Sequence, residues 1–300
     1  MHDEIRGWLD VLGCPRCRGP LCLAGEALEC PPCGHRFPVL GGFRSQFVVS
    51  FVRQEDRDRL AAFSQRYREA RLREGWRPLS AAQALALPDG SPPGYFPLYW
   101  EVRRQSYRAL MRILAREGPP PEAGPAVDMG AGTGWLAYRL AQAGYRALAV
   151  EASLDADFGL GAAATYRAAV PARLLPVQGD LEHPPLRRGT VSLALLNASL
   201  HYAGDLAGTL WRTAETLRPG GCLAILDTPV AHRPQPGRGL GDRHIGRREL
   251  HEALLAAGLR PRWIPIRRSW RWWIHQAKAW LKGDARFSFP MVLGYRRREA

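Results

Sequence analysis

Short apolar segments recur along the second half of the chain, and polar or helix-forming stretches separate them. The apolar segments predict strands at 126–129, 147–150, 174–177, 190–196, 222–227, 260–266 and 288–295. Apolar residues at helical spacing predict helices between several of these strands, at 135–143, 205–217 and 247–257. Strands that alternate with helices are typical of an α/β domain built on a mostly parallel sheet.

A different pattern precedes this region. Charged residues with apolar ones at helical spacing predict an exposed helix over 54–74. A loop rich in proline and glycine follows at 87–97, and a second helix is predicted over 98–117. The aromatic residues around this second helix either line a pocket or pack in the core; they are Tyr95, Phe96, Tyr99, Trp100 and Tyr107.

Two pairs of cysteines stand near the start of the chain, each with two residues between its members. The four are Cys14, Cys17, Cys30 and Cys33, out of six cysteines in all. Each pair can form a tight turn that directs two thiolates at one point, and four thiolates complete a tetrahedral zinc site. We therefore predict a structural Zn²⁺ in a small ribbon, with a hairpin around 24–26 between the pairs. A redox pair and an iron–sulfur site are the alternatives for these cysteines.

The segment from Cys14 to Phe43 extends this signature. It reads CPRCRGPLCLAGEALECPPCGHRFPVLGGF and resembles the zinc ribbon of the small activator proteins of tRNA methyltransferases, over residues 8–45. Similar ribbons precede the methyltransferase domain in bacterial rRNA guanine methyltransferases. The sequence departs from those enzymes after the ribbon, where Gly42-Phe43-Arg44-Ser45 replaces their Gly-Tyr-Val-Asn run.

A glycine-rich turn follows the predicted strand at 126–129. Gly130, Gly132 and Gly134 keep side chains out of the turn, so that the backbone can approach a ligand closely. The next predicted strand ends at Glu151, where a carboxylate can accept hydrogen bonds from both ribose hydroxyls of a nucleoside. A turn of this kind serves dinucleotides and S-adenosylmethionine alike.

Two residues distinguish a dinucleotide site from an S-adenosylmethionine site. Trp135 stands where the GxGxxG turn of a dinucleotide site has its last glycine. Asp128, directly before the turn, would repel a pyrophosphate, but it favours the ammonium and sulfonium groups of S-adenosylmethionine. The pattern DxGxGTG, which ends at Gly134, resembles the first motif of class I S-adenosylmethionine-dependent methyltransferases, and the resemblance covers roughly 98–300.

The resemblance implies a fold, a donor and a set of contacts. The fold is α/β, a Rossmann-like seven-stranded methyltransferase sheet with an antiparallel final strand, joined to a small N-terminal zinc-ribbon domain. The expected domains are the ribbon at 8–45, a helical connector at 46–97 and the S-adenosylmethionine-dependent methyltransferase domain at 98–300. The residues expected to bind the donor are Asp128, Gly130, Ala131, Gly132, Thr133, Gly134, Glu151, Asp180, Leu181 and Asn197. Among these, Asp180 matches the family position that contacts the adenine amino group.

The residues after the fourth predicted strand are expected to face the methyl group, because ligands of such sheets bind beyond the carboxyl ends of the strands. His201 and Tyr202 are the candidate catalytic residues there, and the histidine is the better base because it titrates near neutrality. Packing or loop orientation is the alternative role for His201. The segment 197–200, Asn-Ala-Ser-Leu, lacks the prolines that position an exocyclic amine in many DNA methyltransferases. The longer segment 197–221, with its histidine and its Leu-Arg-Pro-Gly-Gly turn, looks instead like the small-molecule members of the class.

Composition and charge bear on the acceptor. Hydrophobic residues make up 46% of the chain, enough for a packed core, and the formal net charge is +14. No stretch approaches the roughly 20 apolar residues of a spanning helix, and the first residues lack the pattern of a secretion signal. We predict a cytoplasmic enzyme that methylates a small-molecule or lipid-type metabolite. The charge and the ribbon support an rRNA or tRNA base methyltransferase as the alternative.

The segment 269–282, SWRWWIHQAKAWLK, predicts a helix with an apolar face and basic residues elsewhere. Three interpretations stand for this helix. It packs over the domain or pocket, it makes peripheral contact with a membrane surface, or it stacks on nucleobases of RNA.

Overall fold

The computed structural model describes residues 2–43, 46–90, 97–236, 243–281 and 287–297. Within these ranges, eleven strands form one large sheet and four short strands form a second. No helix in the described part of the chain combines the length and the apolar character that crossing a membrane requires.

The first fifty residues contain a short helix and four strands. These elements are α1 (His2–Arg6), β1 (Cys22–Ala24), β2 (Ala27–Glu29), β3 (Arg36–Phe43) and β4 (Gln46–Ser50). β1 and β2 form the predicted hairpin, and Gly25 adopts the left-handed conformation at its turn, with φ at +62°. β2, β3 and β4 continue the same antiparallel pairing.

Three helices lead from these strands to the main domain. They are α2 (Arg57–Arg73), α3 (Ala81–Leu85) and α4 (Pro97–Glu117). α2 and α4 occupy the two segments that the sequence predicts as helices. The short α3 lies between them, where no helix is predicted, and a capping box between Ser80 and Gln83 stabilises its first turn.

The main domain alternates strands and helices, as predicted. Its first part contains β5 (Ala126–Met129), α5 (Trp135–Gln142), β6 (Ala147–Glu151), α6 (Ala163–Ala169), β7 (Leu174–Gln178), β8 (Val191–Asn197), α7 (Leu206–Thr216) and β9 (Leu217–Leu226). Its second part contains β10 (Val230–Ala231), β11 (Gln235–Pro236), β12 (Arg243–Gly246), α8 (Arg247–Ala256), β13 (Leu259–Ile264), α9 (Trp270–Leu281), β14 (Phe287–Ser288) and β15 (Met291–Arg296).

Seven strands of the large sheet follow the order β7-β6-β5-β8-β9-β15-β13. The pairs from β7 to β9 are parallel, and β15 is antiparallel to both β9 and β13. The prediction of a Rossmann-like seven-stranded sheet with an antiparallel final strand is confirmed. The chain changes its direction across the sheet between β5 and β8, so a crevice forms beyond the carboxyl ends of these two strands.

Both faces of this sheet are covered. Neighbouring residues of β5 enter different hydrophobic clusters, because successive side chains of a strand point to opposite faces. Val127 belongs to a cluster that includes Leu210 of α7 and Leu254 of α8. Ala126 belongs to the other cluster, with Leu136 of α5 and Leu110 of α4. The core therefore consists of one hydrophobic layer on each face of the sheet. These layers hold in place the loops that follow the carboxyl ends of the strands.

Two strand ends differ from the sequence-based expectation. β9 begins at Leu217 rather than at 222, and its pairing with β8 shifts register between Val191 and Leu193. The final segment is divided into β14 and β15, because Pro290 has no N–H to donate to a ladder.

The ribbon is continuous with the large sheet. β4 lies parallel to β7, with Val49 opposite Val177. The start of the ribbon also bridges to the main domain, where Leu12 pairs with Leu186, and both leucines are fully buried. The N-terminal segment therefore shares a hydrophobic core with the main domain, while the predicted boundaries at 45 and 97 stay a prediction.

Candidate active site

The glycine turn after β5 brings backbone to the crevice. Gly130, Gly132 and Gly134 all have φ in the left-handed region, at +72°, +55° and +88°. A Cβ on Gly130 would lie 2.5 Å from the Cβ of Ser199, so the turn touches the loop after β8. A Cβ on Gly132 would meet only the carbonyl oxygen of Phe158 within 4 Å, at 3.9 Å. The turn therefore leaves room for a ligand beside Gly132.

Two adjoining cavities flank this turn, and both have Gly130 and Gly132 in their walls. The residues predicted to bind the donor divide between the two. The walls of the first cavity include Glu151, Asp180 and Leu181, and those of the second include Ala131, Thr133 and Asn197. Asp128, Gly134 and His201 are buried and belong to the described lining of neither cavity.

Asp128 carries a carboxyl group buried at the end of β5. Its side chain is 2% exposed, and its Oδ1 atom has no hydrogen-bond partner among the described residues. Burial, together with the nearby charge of Glu151, raises the pKa of Asp128 to about 8. A cation placed beside the glycine turn would stabilise the ionised form of this carboxyl group, so the site fits a positively charged ligand.

Glu151 ends β6 inside the first cavity. Its two carboxylate oxygens accept hydrogen bonds from the backbone N–H groups of Gly132 and Ser153, each at 2.9 Å. Burial raises the pKa of Glu151 against the effect of these hydrogen bonds. The carboxylate therefore supports the glycine turn from below, and its predicted role in ribose binding stays a prediction.

Asp180 lies at the far end of the first cavity and contacts a residue that the sequence does not predict for the site. The guanidinium of Arg59 donates a hydrogen bond to its Oδ2 at 2.5 Å and pairs with Asp56 at 3.0 Å. Burial alone would raise the pKa of Asp180, but the imidazole of His183 at 3.7 Å, the backbone N–H of Glu182 and the guanidinium of Arg59 lower it to about 2. The carboxylate therefore stays ionised, at the position that is expected to accept a hydrogen bond from the adenine amino group.

Helix α2 forms one wall of the first cavity, through Leu60, Phe63 and Tyr67. Contacts on its other turns hold it against the loop after β6. The hydroxyl groups of Ser64 and Ser153 lie 2.5 Å apart, and Arg68 pairs with Asp155 at 2.7 Å. The sequence predicts an exposed helix here. The apolar residues at 60, 63 and 67 indicate the side of this helix that the structure places in the cavity wall.

The loop after β8 brings Asn197, His201 and Tyr202 to the crevice. Asn197 lines the second cavity, and Tyr202 lines the first. His201 is only 8% exposed, and burial, followed by the positive charges of Arg71 and Arg103, lowers its pKa to about 3. The imidazole is therefore neutral at pH 7 and a weak proton acceptor, and the catalytic roles of His201 and Tyr202 stay predictions.

The second cavity combines positive charge with flat aromatic walls. Its basic residues are Arg71, Arg77 and Arg103, and its aromatic residues include Trp76, Trp100 and Trp135. The guanidinium of Arg103 lies 5.0 Å from the centroid of the Trp100 ring, and that of Arg71 lies 5.2 Å from the centroid of Trp76. Such stacking holds the guanidinium groups in place at the wall of the cavity. Arg71 also pairs with Glu74 at 2.6 Å and donates a hydrogen bond to the hydroxyl group of Tyr202 at 3.1 Å.

The aromatic residues expected around α4 serve different purposes. Trp100 lines the second cavity, whereas Tyr99 packs against Trp272 of α9. Tyr107 packs against Trp135, with ring centroids 6.0 Å apart. Tyr95 and Phe96 lie outside the described residues.

The four predicted metal ligands lie together in the ribbon. The Sγ atom of Cys14 is 3.6 Å from that of Cys33, and the Sγ atom of Cys17 is 3.4 Å from Cys30 and 3.7 Å from Cys33. Four sulfurs at about 2.3 Å from a tetrahedral Zn²⁺ would be about 3.8 Å apart. The cluster therefore has nearly the dimensions of a zinc site, whereas Cys22 is exposed and lies outside it.

Comparison with protein families assigns two parts of the chain. A family model described as a methyltransferase domain matches residues 127–225, which contain the glycine turn and the loop after β8. A model described as a Trm112p-like protein matches residues 8–42, which contain the four cysteines.

Individual relatives agree with this assignment. The malonyl-[acyl-carrier protein] O-methyltransferase of Hahella chejuensis is 28% identical over 155 residues, which are 49% of this chain and 53% of that protein. The chain spans between 49% and 64% of the length of the curated relatives that it matches.

Solved structures show the same fold. The geranyl diphosphate C-methyltransferase of Streptomyces coelicolor A3(2) superposes with a TM-score of 0.57 at 17% identity, over 82% of this chain and 98% of that chain. A complex between the Haloferax volcanii Trm112 methyltransferase activator and a methyltransferase gives a TM-score of 0.51 at 20% identity, over 74% of this chain and 99% of that chain.

The strand order, the glycine turn and the family match together show that the chain contains a methyltransferase domain of the S-adenosylmethionine-dependent class. The chain carries this domain behind a Trm112p-like domain with a four-cysteine cluster. Both resemblances inferred from the sequence are thus confirmed.

Proposed function

We propose that this protein transfers the methyl group of S-adenosylmethionine to a small-molecule or lipid-type metabolite that carries an anionic group. The observation that carries the proposal is the pair of cavities that meet at the glycine turn. The first has three carboxylates and one arginine in its walls, and the second has three arginines, one carboxylate and several aromatic rings. Opposite charge on the two sides suits a cationic donor and an anionic acceptor.

The donor would occupy the first cavity and cross the glycine turn. Glu151 would accept hydrogen bonds from the ribose hydroxyls, and Asp180 would accept one from the adenine amino group. Leu181 would pack against the adenine ring. The sulfonium and ammonium groups would then lie near Asp128. Their positive charge would stabilise the ionised form of its buried carboxyl group. Ala131, Thr133 and Asn197 would border the methionine part, because they line the second cavity next to the turn.

The acceptor would occupy the rest of the second cavity. Methyl transfer from a sulfonium is a direct displacement, so the main task of the protein is to hold the two reactants in line. Arg71 and Arg103 would bind an anionic group of the acceptor, and the tryptophans would cover its apolar or planar part. The relative from Hahella chejuensis carries the name of an enzyme that methylates a malonyl group, which is itself anionic.

The experiment that tests this proposal uses radiolabelled S-adenosylmethionine and a cell extract divided into RNA, lipid and small-metabolite fractions. We expect label in an anionic component of the lipid or small-metabolite fraction. The variant Arg103→Ala should raise the KM for that acceptor at least tenfold, in line with the loss of about 2 kcal/mol from a hydrogen bond to a charged group. Arg112→Ala, an exposed arginine on the same helix, is the matched control.

The two parts of this proposal fail in different ways. Label on a neutral acceptor, or an acceptor KM unchanged by Arg103→Ala, would contradict the anionic acceptor. If Arg103→Ala weakens binding of the donor instead, the arginine recognises the carboxylate of methionine. Absence of S-adenosylmethionine binding to the purified protein would contradict the whole proposal.

A second candidate function is methylation of an rRNA or tRNA base. The match of residues 8–42 to a Trm112p-like protein favours it, as does the formal net charge of +14. In this case the label would enter the RNA fraction, and binding of RNA would fall steeply with added salt, because phosphate contacts release counterions.

We also propose that the four cysteines bind one structural Zn²⁺. Cys14, Cys17, Cys30 and Cys33 would fill all four positions of a tetrahedral site, so no position remains for a substrate or a water molecule. The separations between their sulfurs support this assignment. The metal would stabilise the loops that carry the four cysteines.

A further inference from the structure

We propose that the outer face of helix α9 binds the surface of an anionic lipid bilayer. Four large apolar side chains lie on this face and are exposed to solvent. They are Trp270 at 71%, Trp273 at 60%, Ile274 at 45% and Leu281 at 78% relative exposure. Exposed apolar side chains gathered on one helix indicate a surface that another apolar phase covers.

The periodicity of the helix places these residues together. With 100° between successive residues, positions 270, 273, 274 and 281 fall within about a third of the helix circumference. Trp272 lies on the opposite side and is 2% exposed, packed in a cluster with Leu98 and Val102 of α4. The inner face therefore already attaches α9 to the domain through Trp272.

The charges around the outer face determine which apolar partner fits. No acidic residue occurs from Trp263 to Leu281, whereas Arg267, Arg271 and Lys278 are basic and exposed. Arg271 and Lys278 fall at one border of the apolar face, where their long side chains can reach lipid headgroups while the rings enter the interface. This charge distribution is complementary to anionic lipids and opposes binding of another basic surface, such as a second copy of this chain.

The chemistry of the face favours lipid over RNA. Tryptophan side chains prefer the boundary between water and hydrocarbon, because the ring is apolar and the indole N–H is polar. Ile274 and Leu281 have no flat surface on which a base could stack, but they can enter a hydrocarbon layer. An aliphatic and aromatic face with basic borders is the composition of helices that lie in the plane of a membrane interface.

The position of α9 gives such binding a consequence. Tyr99 of α4 packs against Trp272, and the next residue of α4, Trp100, lines the second cavity. A bilayer bound to α9 would therefore lie one helix away from the proposed acceptor site. This proposal goes beyond the proposed function, because binding to a bilayer does not require methyl transfer.

The test is sedimentation of the full-length protein with vesicles, without any methyl donor. We expect binding to vesicles of phosphatidylcholine with phosphatidylglycerol, weaker binding to phosphatidylcholine alone, and a loss of binding at high salt. The double variant Trp270→Ala/Trp273→Ala should weaken binding by about tenfold or more. Trp211→Ala is the matched control, because Trp211 is a 47% exposed tryptophan on α7.

A second variant tests the charge. Arg271→Glu/Lys278→Glu should weaken binding to the anionic vesicles and leave the weak binding to neutral vesicles unchanged. Thermal melting of each variant shows whether it is folded, and residues with exposed side chains tolerate such changes. Three results would overturn the proposal: no binding to anionic vesicles, equal loss in Trp211→Ala, or binding of RNA that the tryptophan variant abolishes while vesicle binding persists. Each of these leaves the binding of S-adenosylmethionine, and with it the proposed function, intact.

Discussion

A single carboxyl group, that of Asp128, links the sequence of the glycine turn to the charge of its ligand. The side chain sits under the turn, out of water, where ionisation is costly unless a cation is near. Its pKa near 8 in the ligand-free protein means that most molecules carry a proton on Asp128 at pH 7. A cationic donor would displace that proton.

We therefore predict that S-adenosylmethionine binding releases protons at pH 7. The raised pKa means that affinity should increase as pH rises from 6 to 8 and level off once the pH is well above the pKa, where Asp128 is ionised before the donor binds. Calorimetry in buffers with different ionisation enthalpies measures the number of protons released. S-adenosylhomocysteine, which has no sulfonium charge, should release fewer.

The variant Asp128→Asn serves as the control for this prediction. It keeps the shape of the side chain and removes its titration, so the proton release should shrink to the contribution of Glu151. Affinity for the donor that stays constant between pH 6 and pH 8 in the unchanged protein would contradict the prediction.

Residues close together in the sequence were predictable, and those that meet through folding were not. Asp128 and the three glycines lie within seven positions, so their pattern alone indicates the ligand. Arg59 contacts Asp180 across more than a hundred residues, and nothing in its own neighbourhood distinguishes it from the other arginines of α2. The second cavity escaped prediction for the same reason, since its arginines come from α2, from the segment that follows it and from α4.

At the scale of elements, the ribbon and α2 depart most from a sequence-based expectation. A ribbon of some 40 residues is expected to depend on its metal, because it cannot bury enough surface alone. In the structure β4 pairs with β7, and Cys14 and Cys30 belong to the same hydrophobic cluster as Val177. The main domain therefore supports the part of the ribbon nearest to it.

We predict one zinc per chain, and a local effect when the site is broken. Cys17→Ser removes one of four thiolates and should lower the zinc content well below one per chain, with a lower Tm. Cys22→Ser is the matched control, because Cys22 is an exposed thiol outside the cluster. Elemental analysis and thermal melting measure both effects, and equal zinc content in the two variants would show that Cys17 is not a ligand.

At the scale of the whole molecule, the alternation of strands and helices was predictable and the extension of the sheet was not. Apolar segments indicate the strands of the main domain, and the resemblance of its glycine turn to class I methyltransferases implies a seven-stranded sheet with an antiparallel final strand. β4 offers no such signal, since a strand of five residues resembles any short apolar segment. Its partner β7 lies in another part of the chain, and sequence pattern carries no register between distant strands.

We predict that Gly13 is essential for the contact between the N-terminal segment and the main domain. A Cβ on this glycine would lie 2.8 Å from backbone atoms of Leu186 and Arg187, and backbone cannot move aside cheaply. Gly13→Ala should therefore destabilise the protein by about 1–3 kcal/mol, the usual cost of overpacking. Denaturant unfolding measures the free energy of unfolding, and Gly41→Ala, which meets nothing within 4 Å, is the control. Equal stability of the two variants would mean that this contact does not hold the segment in place.

The pairing of β4 with β7 also sets an order of events during translation. Residues 46–50 leave the ribosome well before residues 174–178 exist, so the ribbon must wait for its partner strand while the chain grows. Throughout that interval one hydrogen-bonding edge of β4 has no neighbouring strand from the main sheet. A ribbon that has already folded around a bound metal would hold β4 in an extended conformation until β7 has been synthesised.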